Sequence, residues 1–302
     1  MFHPIQEQKL REEIIVHPIK KNIITLHRPN ERHRLGWGKT WLVMGRNVWN
    51  ARDLIWQLFK RDFLASYKKS FIGFAWIFLT PLLGIVSWVM LQKTGLLQPG
   101  ETPIPYPAYV LIGTTMFGLF LELFKGASRT LVAGSALVMQ VNYPHEALLF
   151  QQVAHQLARF IISLIVNLVV LAAFGVMPSW TILLFPLVVI PLFLLAAGLG
   201  LIVSMFAVVA VDLSTTITMF MGLLLYATPV IYAGNVSSPF IQTLIKWNPL
   251  TYLVCSARDI IITGQLYNPL GYAICSILSL TFFLLSWRLF FVSEQRLIER
   301  IL

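Results

Sequence analysis

Few residues in this 302-residue chain are of types that do bond chemistry, and their spacing does not suit it. Gly38-Lys39-Thr40 ends the run HRLGWGKT and resembles the close of a phosphate-binding loop. That loop needs a glycine five residues before Gly38, where the backbone wraps the phosphates, and His33 stands there instead. No apolar strand leads into the run and no second nucleotide motif follows, so no ATP site is expected. The histidines (His3, His17, His27, His33, His145 and His155) are not spaced with carboxylates as metal ligands are, and no metal is expected. Cys255 and Cys275 have no metal-type neighbours and read as two unpaired thiols. Ionisable groups deep in an apolar segment would mark an ion or proton relay. Glu122, Arg159, Asp212 and Arg288 all fall near the ends of apolar runs. The residues thus give no basis for acid–base or nucleophilic catalysis, or for ion coupling.

What the chain has in quantity is aromatic surface: 9 Trp, 9 Tyr and 21 Phe. Tyr106, Tyr109, Trp180, Tyr232, Trp247, Tyr252, Tyr267 and Tyr272 collect near one set of apolar-run ends, as an ordinary interfacial belt would. Some aromatics have a second reading, because a ring face suits the C–H surface of a pyranose. Trp76, Trp88, Phe117, Tyr226 and Tyr232 are the candidates to line such a pathway.

The elements that must position them are membrane spans. The chain is 57% hydrophobic and 12% charged, against about 25% charged for a soluble domain. Residues 71–91 form 21 uncharged positions, enough for a ~30 Å hydrocarbon core. Before them, residues 1–70 hold 14 basic and 6 acidic residues, a net +8. That basic head belongs in the cytoplasm and favours an anionic membrane surface over nucleic acid. The first long apolar run starts too far in, and is too long, for a signal h-region.

The expected fold is an all-α integral membrane protein with six transmembrane helices and both ends inside. Residues 1–46 read as a cytoplasmic extension with a short strand at Asn22–Leu26, and 47–69 as an amphipathic interfacial helix. Spans are expected at about 71–91, 106–124, 153–175, 182–210, 217–233 and 270–292, with a cytoplasmic tail at 293–302. Prolines 81, 186, 191 and 229 are expected to bend or interrupt them. An inner turn is expected at Asp212–Thr216, and Lys125 should neutralise Glu122 one turn away. Residues 234–268 hold two half-length apolar stretches split by Asn248-Pro249, which fits a re-entrant pair of helices. Under this layout 20 Lys and Arg lie inside, and Lys93, Lys246 and Arg258 lie outside. Ala196, Gly200 and Ser204 form a small-residue ladder, for packing within the subunit or across a dimer. No internal repeat is visible, which argues against an inverted-repeat transporter.

Several motifs carry a family resemblance. They are Arg61-Asp62-Phe63, Tyr67-Lys68-Lys69-Ser70-Phe71-Ile72-Gly73-Phe74-Ala75-Trp76 with Pro81, and Asn142-Tyr143-Pro144-His145-Glu146. Asp212-Leu213, Thr228-Pro229-Val230-Ile231-Tyr232 and Asn248-Pro249-Leu250 with Arg258 and Gly264 follow in order. Together, over about residues 50–295, they resemble the ABC-2 type exporter permeases for bacterial polysaccharides. The resemblance implies a homodimer docked to two copies of a separate nucleotide-binding subunit, which holds ATP and Mg; this chain would bind no cofactor. It implies ATPase-subunit contact through residues 47–69 and 125–146, here Arg61, Lys68, Arg129, His145 and Glu146. It implies a re-entrant region around Asn248, Pro249 and Arg258, a bacterial inner-membrane location, and export of lipid-linked O-antigen, capsule or teichoic acid. His145 departs from the basic residue common there, and Gln140 makes the preceding loop less basic, so that contact is expected to be less electrostatic. An ABC-2 exporter of drugs or small lipids is one alternative. An integral membrane glycan-modifying enzyme is another.

Overall fold

The computed structural model describes residues 37–68, 73–131, 145–208, 210–234 and 238–298. The expected strand at Asn22–Leu26 and the whole of residues 1–36 lie outside them. Every regular element among the described residues is helical: α1 Trp37–Asn50, α2 Arg52–Lys68, α3 Trp76–Lys93, α4 Tyr106–Ser128 and α5 His145–Ala173. Then come α6 Phe185–Ala207, α7 Val211–Leu223, α8 Pro239–Trp247, α9 Pro249–Ile262 and α10 Pro269–Ile298.

Four helical stretches are long and apolar enough to cross a membrane: Tyr106–Ser128, Ala147–Ala173, Trp180–Ala207 and Pro269–Ser293. α3 is a shorter apolar helix extended at its start by a 3-10 turn at Gly73–Ala75. α7 has 13 residues, so the expected span 217–233 is not one α-helix. From Leu224 the winding tightens: Leu225, Tyr226 and Ala227 donate to carbonyls three residues back, and Val230 N–H donates to Thr228 at 2.7 Å. The cause is Pro229, which lacks an N–H and disfavours helix at Thr228. At ~1.5 Å per α-residue and ~2 Å per tightened residue, 211–230 still covers about 33 Å.

Proline also shapes the other helices, mostly by starting them. Pro107, Pro186, Pro239 and Pro249 occupy first-turn positions of α4, α6, α8 and α9, where the missing N–H is no loss. Pro186 therefore opens a helix and does not interrupt one. Pro81 and Pro191 do lie inside α3 and α6.

Three other boundaries differ from expectation. Helix starts at Trp37, inside the expected extension, because Met44 is fully buried and Trp41 packs edge-on against Trp287 of α10 at 6.0 Å. Tertiary burial there outweighs the weak propensity of Gly38 and Gly45. The expected helix 47–69 divides at Ala51 into α1 and α2. Asp212–Thr216 is the start of α7 and not a turn; the chain turns just before it, at extended Ala210, and Asp212 suits the positive end of the helix.

α4 is the centre of the bundle: 67% of its apolar window is buried, against 22% for α5. It packs on α5 and α6, while α6 also packs on α10 and α9. Gly200 allows the α4–α6 approach, since a Cβ there would lie 2.7 Å from Phe124 O and overlap Ala127. Ala196 and Ser204 are fully buried beside it, so the small-residue ladder is used within the subunit. α2 lays Leu58, Leu54 and Ile55 on Ala147 and Leu148 at the start of α5. The face expected to lie in the membrane interface is thus docked on protein.

Candidate functional site

α3, α4 and α5 enclose a cavity of about 500 Å³. Each contributes one helical face. α3 supplies Trp76, Thr80, Gly84 and Trp88, a row at four-residue spacing. α4 supplies Thr114, Thr115, Gly118 and Glu122, and α5 supplies Gln156, Arg159, Phe160 and Ser163. Residues four apart share a helix face, so three otherwise apolar helices each turn a polar or small-residue stripe to one space. Gly84 and Gly118 keep it open: a Cβ at either would meet nothing within 4 Å.

The groove is chemically mixed. Trp76, 42% exposed, and Trp88 offer indole faces. Hydroxyls and an amide line the groove beside them, and Glu122, also on its wall, meets Lys125 at 2.8 Å with side chains 44% and 33% exposed. That is the expected i,i+3 neutralisation. Carbohydrate recognition uses this mixture of ring faces with hydroxyl and amide partners. Among the described residues no group of three or more His, Cys, Asp or Glu converges to hold a metal.

Of the proposed pathway aromatics, Trp76 and Trp88 line the groove. Tyr226, 57% exposed, meets Trp88 edge-on at 6.4 Å and extends the aromatic surface towards α7. Phe117 does not line it; it is 3% exposed and packs on Phe120 at 6.0 Å. The Tyr232 hydroxyl donates to Tyr226 O at 2.9 Å, outside the groove. Sequence reasoning missed Thr80, Thr114, Thr115, Gln156 and Ser163, and set Glu122 and Arg159 aside as span ends. The four-residue rows were the available signal.

A second polar constellation lies at the other end of α4. The tightened segment 227–232 cannot satisfy its own carbonyls, and side chains of α4 and α9 do so instead. Asn248 caps α9 by accepting Leu250 N–H at 3.0 Å, and donates to Ala227 O at 3.2 Å and Thr228 Oγ1 at 2.9 Å. Tyr106 and Tyr109 hydroxyls donate to Ile231 O and Tyr232 O. Arg258, expected on the outer side within the re-entrant pair, is buried at 4% exposure. Its Nη1 donates to Tyr109 OH at 2.6 Å and Pro229 O at 2.9 Å, its Nε to Asp259 at 2.7 Å, and its guanidinium lies 4.3 Å from the Tyr109 ring centre. Pro249 opens α9, and Gly264 ends it at φ 78°, within 2.5 Å of Ser179 Oγ were a Cβ present. Asn248, Pro249 and Arg258 form a structural clasp.

At the far end of the bundle, Arg61 is exposed and bonds Asp62, which accepts from Gln151 of α5 at 2.9 Å. Arg129 is exposed at the end of α4. Lys68 ends α2, and His145 and Glu146 begin α5; their side chains lie outside the described residues. Buried Thr40 places the GKT triplet inside α1.

Residues 53–262 match the ABC-2 type transporter family, and the chain belongs to it. It is a multi-pass inner-membrane transport protein. It is similar to an O-antigen export system permease protein RfbA of Myxococcus xanthus, 28% identical over 70% of this chain and 81% of that one. A permease of the same name from Klebsiella pneumoniae is 24% identical over 74% of this chain and 85% of that one.

Proposed function

We propose that this chain is the membrane subunit of an ATP-driven exporter of lipid-linked polysaccharide of O-antigen type. It works as a homodimer with two copies of a separate ATP-binding subunit, which carries ATP and Mg. The observation that carries this reading is the groove: two indoles closing a row at four-residue spacing, facing hydroxyls and an amide, inside a family of transporters whose named relatives export O-antigen.

Coupling follows from the connectivity. The ATP-binding subunit contacts the exposed end formed by α2, the end of α4 and the start of α5, including Arg61, Lys68, Arg129, His145 and Glu146. α2 grips α5 through Leu58 on Ala147 and Leu148 and through Asp62 on Gln151. α5 then carries Gln156, Arg159 and Ser163 into the groove. A displacement of α2 thereby moves one wall of the groove directly, while the clasp holds the opposite end of α4.

Gly118→Leu tests the assignment. A Cβ at Gly118 meets nothing within 4 Å, and the variant is expected to fold, insert and bind its ATPase partner. Surface polysaccharide is expected to fall more than tenfold. Normal surface glycan with the groove filled would exclude this groove as the path. Unchanged surface glycan after deletion of the gene would instead favour a drug or small-lipid exporter.

A further inference from the structure

α1, α2 and α5 enclose a second cavity, of about 400 Å³, that plays no part in the groove. Its walls are apolar, with Val48, Ile55, Phe59 and Val153 among them. Among the described lining residues Arg52 alone is charged. Trp49 and Trp56 stand beside it, 68% and 55% exposed. The Arg52 guanidinium lies 5.0 Å from the Trp49 ring centre, and Lys60 Nζ 5.2 Å from that of Trp56. Two cations therefore sit over two exposed indoles at the edge of an apolar hole.

The cavity continues into an exposed apolar surface. Leu157 lines it and begins a row on α5, Leu157, Ile161, Ile165 and Val169, exposed at 36%, 53%, 53% and 64%. The row follows a span apolar enough to cross the membrane. A hydrocarbon chain entering the cavity from the bilayer has an unbroken apolar track, and its polar end emerges at the cations. Arg52 also meets Asp53, at 3.8 Å with both side chains largely exposed, an exposed pair that a stronger anion can displace.

We propose that this cavity binds one anionic phospholipid of the cytoplasmic leaflet, an acyl chain within and the phosphate on Arg52 and Lys60. The bound lipid seals the elbow at Ala51 between α1 and α2. The charge complementarity is local, and it matches the net +8 of residues 1–70.

Gly45 supplies the decisive variant. It lines the cavity, and a Cβ there meets nothing within 4 Å, so the Gly45→Leu side chain starts from open space and is expected to fill the hole. The full chain is purified from bilayers of phosphatidylglycerol and phosphatidylcholine, and retained lipid is counted by native mass spectrometry. Wild type and Gly45→Ala are expected to retain phosphatidylglycerol at least threefold over phosphatidylcholine. Gly45→Leu is expected to lose that excess. Arg52→Gln, at an exposed position, is expected to bind both lipids equally. Wild-type retention without preference, or an unchanged excess in Gly45→Leu and Arg52→Gln, overturns the proposal. A Gly45→Cys variant whose labelling is blocked by the ATP-binding subunit and not by phosphatidylglycerol also overturns it, and assigns the cavity to that subunit.

Discussion

α4 carries two polar regions built on opposite lines. Its first turns hold Tyr106 and Tyr109, whose hydroxyls are spent on Ile231, Tyr232 and Arg258. Its later turns present Thr114, Thr115, Gly118 and Glu122 to open space. At the clasp, polar groups are buried and matched to backbone that Pro229 left without helical partners. In the groove, the polar groups other than Gln156 are at least partly exposed and two glycines leave the space empty. Buried polar atoms in a membrane protein belong to structure when their partners are internal, and to function when a ligand-sized space faces them. The same helix thus anchors one end and serves transport at the other.

The comparison predicts opposite responses to mutation. Arg258→Ala should have the largest effect on stability. It leaves Asp259 without its cation and takes a donor from Tyr109 OH and from Pro229 O, and loss of one member of a buried pair costs about 3–5 kcal/mol. Denaturant unfolding in detergent measures it; a midpoint equal to wild type would mean that Arg258 is not the keystone of the clasp. Gly84→Leu in the groove should do the reverse, leaving the unfolding midpoint in place and lowering export more than tenfold. A fall in stability there matching that of Arg258→Ala would erase the distinction between the regions.

Asn248 divides the clasp further. Asn248→Ala removes the α9 cap and both donations to the tightened segment, for about 1–2 kcal/mol. Asn248→Asp keeps the acceptor for Leu250 N–H and loses only the donations, so it should fall between Ala and wild type. Equal loss in both variants would place the whole contribution in the ties to Ala227 and Thr228.

The long spans could be read from composition because hydrocarbon thickness imposes a length, and α4, α5, α6 and α10 obey it. The short helices α8 and α9 could be read from Asn248-Pro249, which stops one helix and starts the next. α1 was hidden because Gly38, Gly45 and Arg46 dilute its apolar face, and burial of Met44 depends on α5 and α10. The burial of Arg258 was hidden for a related reason. Its partner Tyr109 is 149 positions away, and nothing local says that a cation in α9 points inward. The groove was half visible. Trp76-Thr80-Gly84-Trp88 is a regular row in the sequence, but the choice between lipid and an internal space belongs to packing among three helices.

Glu122 gives the smallest and most discriminating test, because it lies in the groove yet pairs like a surface residue. Its bond to Lys125 is short, but both side chains are partly exposed, so the pair is worth ~0–1 kcal/mol to folding. Glu122→Gln keeps the shape and a hydrogen-bond acceptor and removes the charge. Stability is expected to stay at the wild-type value. Export is expected to change by less than about fivefold, the kinetic equivalent of the same energy. If the carboxylate serves only to neutralise Lys125, Lys125→Gln in the same background restores wild-type export. If export stays altered in the double variant, the carboxylate acts on the passing substrate, and the charge on the groove wall is part of its chemistry.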